Sequence, residues 1–238
     1  MENTMSLTLR TDAFDFAGFQ NRFAQKGRIR LEGALPHDDA HAIHHALEQE
    51  TLWELHLVNS EGAPDVISRT ELESLNPSEI QDRLAAAAER AQTGLSFLHL
   101  GYDLTTKAAL ENLGDDHPVF ELAKLVWSQD FADFCEQVTG LTGLKLQSLI
   151  ATGYRPGDFF TMHTDAAAKL SFEWNFTHDW RSDWGGQILF HSPSGDIEGG
   201  IMPRLNDLSL YAGDQPRSIA SLAAYAGAPR FAITGRFI

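Results

Sequence analysis

Residues 154–165 read Tyr-Arg-Pro-Gly-Asp-Phe-Phe-Thr-Met-His-Thr-Asp. Pro156-Gly157 breaks the chain into a turn, and the residues after it form an extended run ending in His163-Thr164-Asp165. Side chains two apart on a strand share a face, so His163 and Asp165 project together. An imidazole and a carboxylate so placed are two of the three members of the set that holds non-haem Fe(II). Such a triplet also arises by chance, and its surroundings decide how much it means.

Downstream of about residue 144 the chain is a series of eight short extended runs: LKLQSLIATGYRP, DFFTMHTD, KLSFEWNF, GGQILFHS, DIEGGIMP, DLSLYAG, RSIASL and RFAITGRFI. Turns containing Gly, Pro, Asp or Ser separate them at regular spacing, which predicts two packed antiparallel sheets in a jelly-roll or barrel. Upstream the texture is helical. Helix-like apolar spacing covers 13–25, 37–50, 117–127 and 129–138, and Asn76-Pro77-Ser78-Glu79 opens an alanine-rich helix to about residue 91. Extended stretches are expected around Ile29 and Leu31, at 51–58 and at 95–104. No repeat or Pro/Gly/Ser linker divides these parts. The expected architecture is therefore one compact α+β domain. Residues 1–143 form a mostly helical support, packed on a double-stranded β-helix (jelly-roll) core at 144–238.

Composition narrows the function. With 43% hydrophobic residues, the chain can bury a substantial core, and no apolar run is long enough to span a membrane. A formal charge of −15, with no Lys/Arg cluster, opposes binding to nucleic acid. The start lacks the apolar segment of a secretory signal, and the sole cysteine, Cys135, fits a reducing cytosol, so a cytoplasmic protein is expected.

The pieces YRPGDFFTMHTD, WNFTHDWRSDWGGQILF, IMPRLNDLSLY and APRFAITGRFI, in this order and spacing, resemble the 2-oxoglutarate/Fe(II)-dependent oxygenases of the prolyl-hydroxylase-like branch. The resemblance covers roughly the last ninety residues well and the helical support loosely. It implies His163 and Asp165 as iron ligands and Arg230 as the arginine that grips the distal carboxylate of 2-oxoglutarate, a role suited to a planar guanidinium. It further implies Tyr154 lining the co-substrate pocket, Asn175 adding a polar contact, and Gly185-Gly186 as a sheet turn. The family's second histidine ligand stands about a dozen residues before the arginine, and that slot holds Arg217. Arginine stays protonated and offers no lone pair, so it does not ligate iron. His191 is the last histidine in the chain, so no shift of register supplies another. The family's tryptophan-like position near the end is Arg236.

Three readings follow. His163, Asp165, 2-oxoglutarate and water complete a reduced iron site; or His178 or His191 is recruited; or Arg217 pairs with Asp165 and replaces the metal. The resemblance implies an Fe(II)- and 2-oxoglutarate-dependent hydroxylase acting on a small molecule, peptide or protein. The rival is a catalytically silent jelly-roll binding module that keeps a 2-oxoglutarate-like pocket. His37, His41 and His45 lie on one helix face that can bind zinc, but with no cysteine or strand ligand nearby they read as a solvated surface. Trp174, Trp180 and Trp184 read as core and rim packing.

Overall fold

The computed structural model describes residues 7–238. Its elements, in order, are α1 (Phe16–Lys26), β1 (Arg28–Glu32), α2 (His37–Gln49), β2 (Glu54–Val58), β3 (Pro64–Ile67), α3 (Arg69–Ser74), α4 (Pro77–Ala91), β4 (Phe97–Asp103), α5 (Lys107–Leu113), α6 (Pro118–Val126) and α7 (Gln129–Thr139). Eight strands follow: β5 (Leu146–Tyr154), β6 (Phe159–His163), β7 (Leu170–Asn175), β8 (Ile188–His191), β9 (Ile197–Ile201), β10 (Asp207–Ala212), β11 (Arg217–Ile219) and β12 (Arg230–Phe237). Each of the eight extended runs contains one of them.

The strands form a curled antiparallel sheet in the order β1-β10-β7-β12-β5-β4-β6-β11-β8-β9, with β2 on β4 and β3 on β2. This is a jelly-roll of the double-stranded β-helix type. The first half of the chain supplies part of it: β1 lies along β10, and β4 bridges β5 and β6. The upstream segment is thus less exclusively helical than its sequence texture suggests. β3, α3 and α5 are short elements that periodicity did not mark.

Helices and sheet meet in the main core. Alternate residues of β7, Phe172 and Trp174, face it, and Phe131 of α7 stacks on Trp174 with centroids 5.9 Å apart and meets Phe172 edge-on at 5.4 Å. The other face of β7 carries Ser171, Glu173 and Asn175 into the roll. There a second cluster, Tyr154, Ile188, Phe190, Tyr211, Ile219 and Leu222, fills the interior. A third cluster packs β2, β3 and β4 against α4. The helix ends follow their local chemistry. Asn76 and Glu79 exchange side-chain bonds with each other's backbone N–H in a capping box, and α1 and α7 stop at left-handed Gly27 and Gly140.

Asn206 ties the two halves together beside the roll. At φ +63° its backbone is left-handed, its Oδ1 accepts from Leu35 N at 3.0 Å, and its Nδ2 donates to Leu35 O at 2.7 Å. Its own N–H donates to Asn175 O at 2.7 Å, fixing the end of β7. Asn206→Ala keeps the strained φ and leaves Leu35 unsatisfied, which costs about 2–4 kcal/mol. Asn206→Gly relieves the strain and recovers about 1 kcal/mol of that. Urea unfolding of the two variants beside the parent measures both steps.

Candidate functional site

The interior of the roll holds two charged centres. The first gathers around Asp165, just beyond β6. In the register of β6 and β11, Arg217 lies directly opposite His163. Residues so paired send their side chains to the same face, and the Arg217 guanidinium reaches Asp165 Oδ2 in a short ion pair. Ser171 Oγ donates to the same oxygen at 2.9 Å, and Arg236 Nη1 stands 3.3 Å from Oδ1. Burial alone raises the Asp165 carboxyl, but Arg217, then Arg236 and Ser171, outweigh it and hold the group below the usual carboxylate range. The Arg217 guanidinium also lies 4.7 Å over the Tyr211 ring. His163 stacks on Phe160 with centroids 3.8 Å apart, and its Nδ1 donates to Thr161 O at 2.9 Å. Burial and then the Arg217 charge push this imidazole down to about 4, so it stands neutral with Nε2 free.

The second centre is Arg230, at the start of β12 and fully buried. It pairs across the sheet with Tyr154, and its guanidinium lies 5.1 Å over that ring. Its Nη2 is engaged in a short ion pair with Glu173, and Asn175 Nδ2 donates to the same carboxylate oxygen at 2.5 Å. Nε and Nη1 of Arg230 are buried without a partner. Glu173 is the principal cause that holds Arg230 above its ordinary value against the opposing desolvation. Burial lifts the Tyr154 hydroxyl far above its usual range and the Tyr211 hydroxyl to about 12, so neither serves as a base near neutrality. Behind Tyr154, with centroids 5.2 Å apart, lies His99.

The six residues singled out in the sequence therefore fall into two groups within one roll: His163, Asp165 and Arg217, and Tyr154, Asn175 and Arg230. His178 and His191 join neither. His178 packs against His41 and His44 of α2, and His191 Nε2 meets Ser218 Oγ at 2.9 Å. Among the described residues, no three of His, Cys, Asp and Glu are arranged to hold a metal ion. Gly185 and Gly186 both adopt positive φ, and a Cβ on Gly185 would run into Ser221 O. Trp174 is fully buried, and Trp180 and Trp184 meet edge-on at 5.2 Å.

Sequence reasoning missed Glu173. The signal was present: a carboxylate in the run Leu170–Asn175, otherwise apolar apart from Ser171 and Asn175, has to find a buried cation. Ser171 and His99 carried no comparable mark.

Fit to Fe(II) and 2-oxoglutarate differs between the centres. At Asp165 two ligand types are present, but both carboxylate oxygens face cations, so the set does not suit a divalent ion. At Arg230 two free N–H donors suit a carboxylate, while Glu173 already holds the third nitrogen.

Two predictions follow from the buried charges. Glu173→Ala leaves Arg230 unpaired and destabilises by about 3–5 kcal/mol, whereas Glu173→Leu combined with Arg230→Met recovers most of the loss; a denaturation cycle over single and double variants reads this. The second concerns His99, which burial pushes down to about 4. An unfolded histidine binds its proton near 6.5, so stability is intact above that pH and declines, by up to about 3 kcal/mol, as pH falls toward 4. Asp207, lifted by burial to about 6, takes up a proton in the same window and offsets part of the decline. Urea midpoints measured across this range fall less steeply in His99→Gln than in the parent.

Residues 149–238 match the family model of the 2OG-Fe(II) oxygenase superfamily. A prolyl hydroxylase from Trichoplax adhaerens, in complex with a fragment of the hypoxia inducible factor oxygen degradation domain, superposes with TM-score 0.58 at 13% identity, over 94% of this chain and 88% of that one. A prolyl 4-hydroxylase structure from Phytophthora capsici gives 0.57 at 13%, over 97% and 68%. The α-ketoglutarate-dependent epimerase SnoN of nogalamycin biosynthesis gives 0.56 at 13%, over 94% and 82%. At these identities the likeness is one of fold. No curated protein matches the chain in sequence.

Proposed function

We propose, from the match of residues 149–238 to the family model of the 2OG-Fe(II) oxygenase superfamily, that the chain is a catalytically silent member of that superfamily. In this reading it is a metal-independent module whose centre is closed by its own ion pairs. The observation that carries the reading is Arg217 standing opposite His163 with its guanidinium on Asp165. A fixed positive charge there repels a divalent cation and occupies the carboxylate that would bind it. Arg236 adds a second positive charge on the same side chain. At the other centre, Glu173 presents to Arg230 an internal carboxylate in place of one brought by a co-substrate. Together the three side chains give the buried Asp165 and Arg230 an ion-pair partner without any guest.

When bound in this family's sites, iron and 2-oxoglutarate supply an oxidant for C–H bonds. This chain's residues hold charge and exclude water around Asp165 and Arg230, and they leave the third protein ligand position without a donor.

The two unpartnered nitrogens of Arg230 favour a second reading, in which the silent roll still takes a small carboxylate. Tyr154 covers the guanidinium face, so such a guest bonds in the guanidinium plane, at Nε or Nη1.

Anaerobic titration with Fe(II) or Mn(II), with and without 2-oxoglutarate, tests the proposal. The parent shows no metal bound at the roll and no charge-transfer band, and it does not turn over 2-oxoglutarate. Arg217→His gains metal affinity by about tenfold or more, and adding Glu173→Val lets 2-oxoglutarate bind beside the metal. Tight Fe(II) binding by the parent that is lost in His163→Ala overturns the silent reading. Calorimetry with 2-oxoglutarate alone decides whether Arg230 still accepts a carboxylate.

A further inference from the structure

On α2, His37 and His45 are exposed, while His41 and His44 are partly buried. His37 and His41, one turn apart, bring their Nε2 atoms to 3.1 Å. The third imidazole on this face is not His45, which turns to Glu50 at 3.3 Å. It is His178, from the loop after β7, whose ring centroid lies 4.9 Å from that of His41. His44 closes the group, 5.8 Å from His178.

We propose that His37, His41 and His178, which as they stand are not arranged to hold an ion, become a binding site for a first-row divalent transition ion of the zinc type once His178 turns toward the hydrogen-bonded His37/His41 pair, with His44 at its edge, joining α2 to the loop that follows β7. Nitrogens about 2.0–2.1 Å from a tetrahedral ion sit about 3.3 Å from one another, so the His37/His41 pair already has close to the required bite. Two imidazoles one helical turn apart on the same face are a preformed bidentate pair. His178 supplies the third donor by turning about its Cα–Cβ bond, away from its present 2.9 Å contact between Nδ1 and Asp179. His44 Nδ1 donates to Phe176 O at 2.7 Å, which directs its Nε2 away from the backbone of that loop.

The electrostatics agree. Desolvation and then the neighbouring imidazoles of His37, His178 and His44 hold His41 below the ordinary histidine range, so it is a free base near neutrality. Asp38, Asp39 and Asp179 flank the group in a chain of formal charge −15, which draws cations to it. An all-imidazole donor set selects zinc, nickel or copper and rejects magnesium and calcium, which take oxygen.

Calorimetric titration of the full chain with Zn(II) at neutral pH, repeated with Ni(II), tests the site. One ion binds per chain. His41→Ala and His178→Ala each weaken binding by about tenfold or more, while His45→Ala and His163→Ala leave it unchanged. Zn(II) raises the melting temperature of the parent but not of His178→Ala, because the ion bridges two elements. Absence of Zn(II) binding, binding that survives His41→Ala, or equal loss in His45→Ala overturns the proposal. Loss in His163→Ala with retention in His41→Ala moves the ion to the roll, and the silent reading falls as well.

Discussion

A guanidinium shut off from water must be met by a carboxylate. Arg230, at the first position of the strand that runs through the middle of the sheet, is met by Glu173. The layout of the roll interior follows from that requirement. Asn175 turns toward the same carboxylate, Tyr154 covers the guanidinium, and β7 keeps its polar face inward although every residue of the strand is buried. Asp165 is subject to the same demand and draws Arg217, Arg236 and Ser171. Desolvated pairs of this kind add little net stability, but losing one partner is severe, so they specify an arrangement more than they strengthen it.

How legible this was in the sequence depends on the range of the interaction. The strands after residue 144 were readable because their turns are local chemistry and their alternation has a period of two. The main helices were readable for the same reason, through caps such as Asn76 and stops such as Gly27 and Gly140. The participation of β1 and β4 in the roll was not, since strand partners far apart in sequence leave no local trace. At the site, His163 and Asp165 stood out through their spacing, and Arg230 and Arg217 through the family resemblance, Arg217 as a mismatch to what that resemblance implies. Their exact partners depended on register. Only the pairing of β6 with β11 puts Arg217 opposite His163, and only the inward face of β7 brings Glu173 to Arg230. The group on α2 shows the same limit: the helical repeat offered His45, while the fold supplied His178 from a loop well over a hundred residues away.

A fold of this kind does not fix a reaction. The scaffold brings a few strand positions to one interior point, and the identity of those few side chains decides whether the point accepts an ion, a carboxylate or nothing. Here Arg217 places a fixed positive charge on Asp165, opposite His163.

The pairing of β1 with β10 has a consequence for how the chain reaches this state. Arg28 lies opposite Tyr211 and Glu32 opposite Asp207, so the outermost strand of the sheet is closed by segments at opposite ends of the sequence. Closing so long a loop costs conformational entropy before any contact compensates it, which slows folding. On a ribosome, residues 28–32 emerge early and stay without their partner until nearly the whole chain has followed. Until the two strands meet, each presents a bare edge of N–H and C=O groups, open to pairing with another molecule. Docking of β1 moves the open edge of this side of the sheet from β10 to the short strand β1.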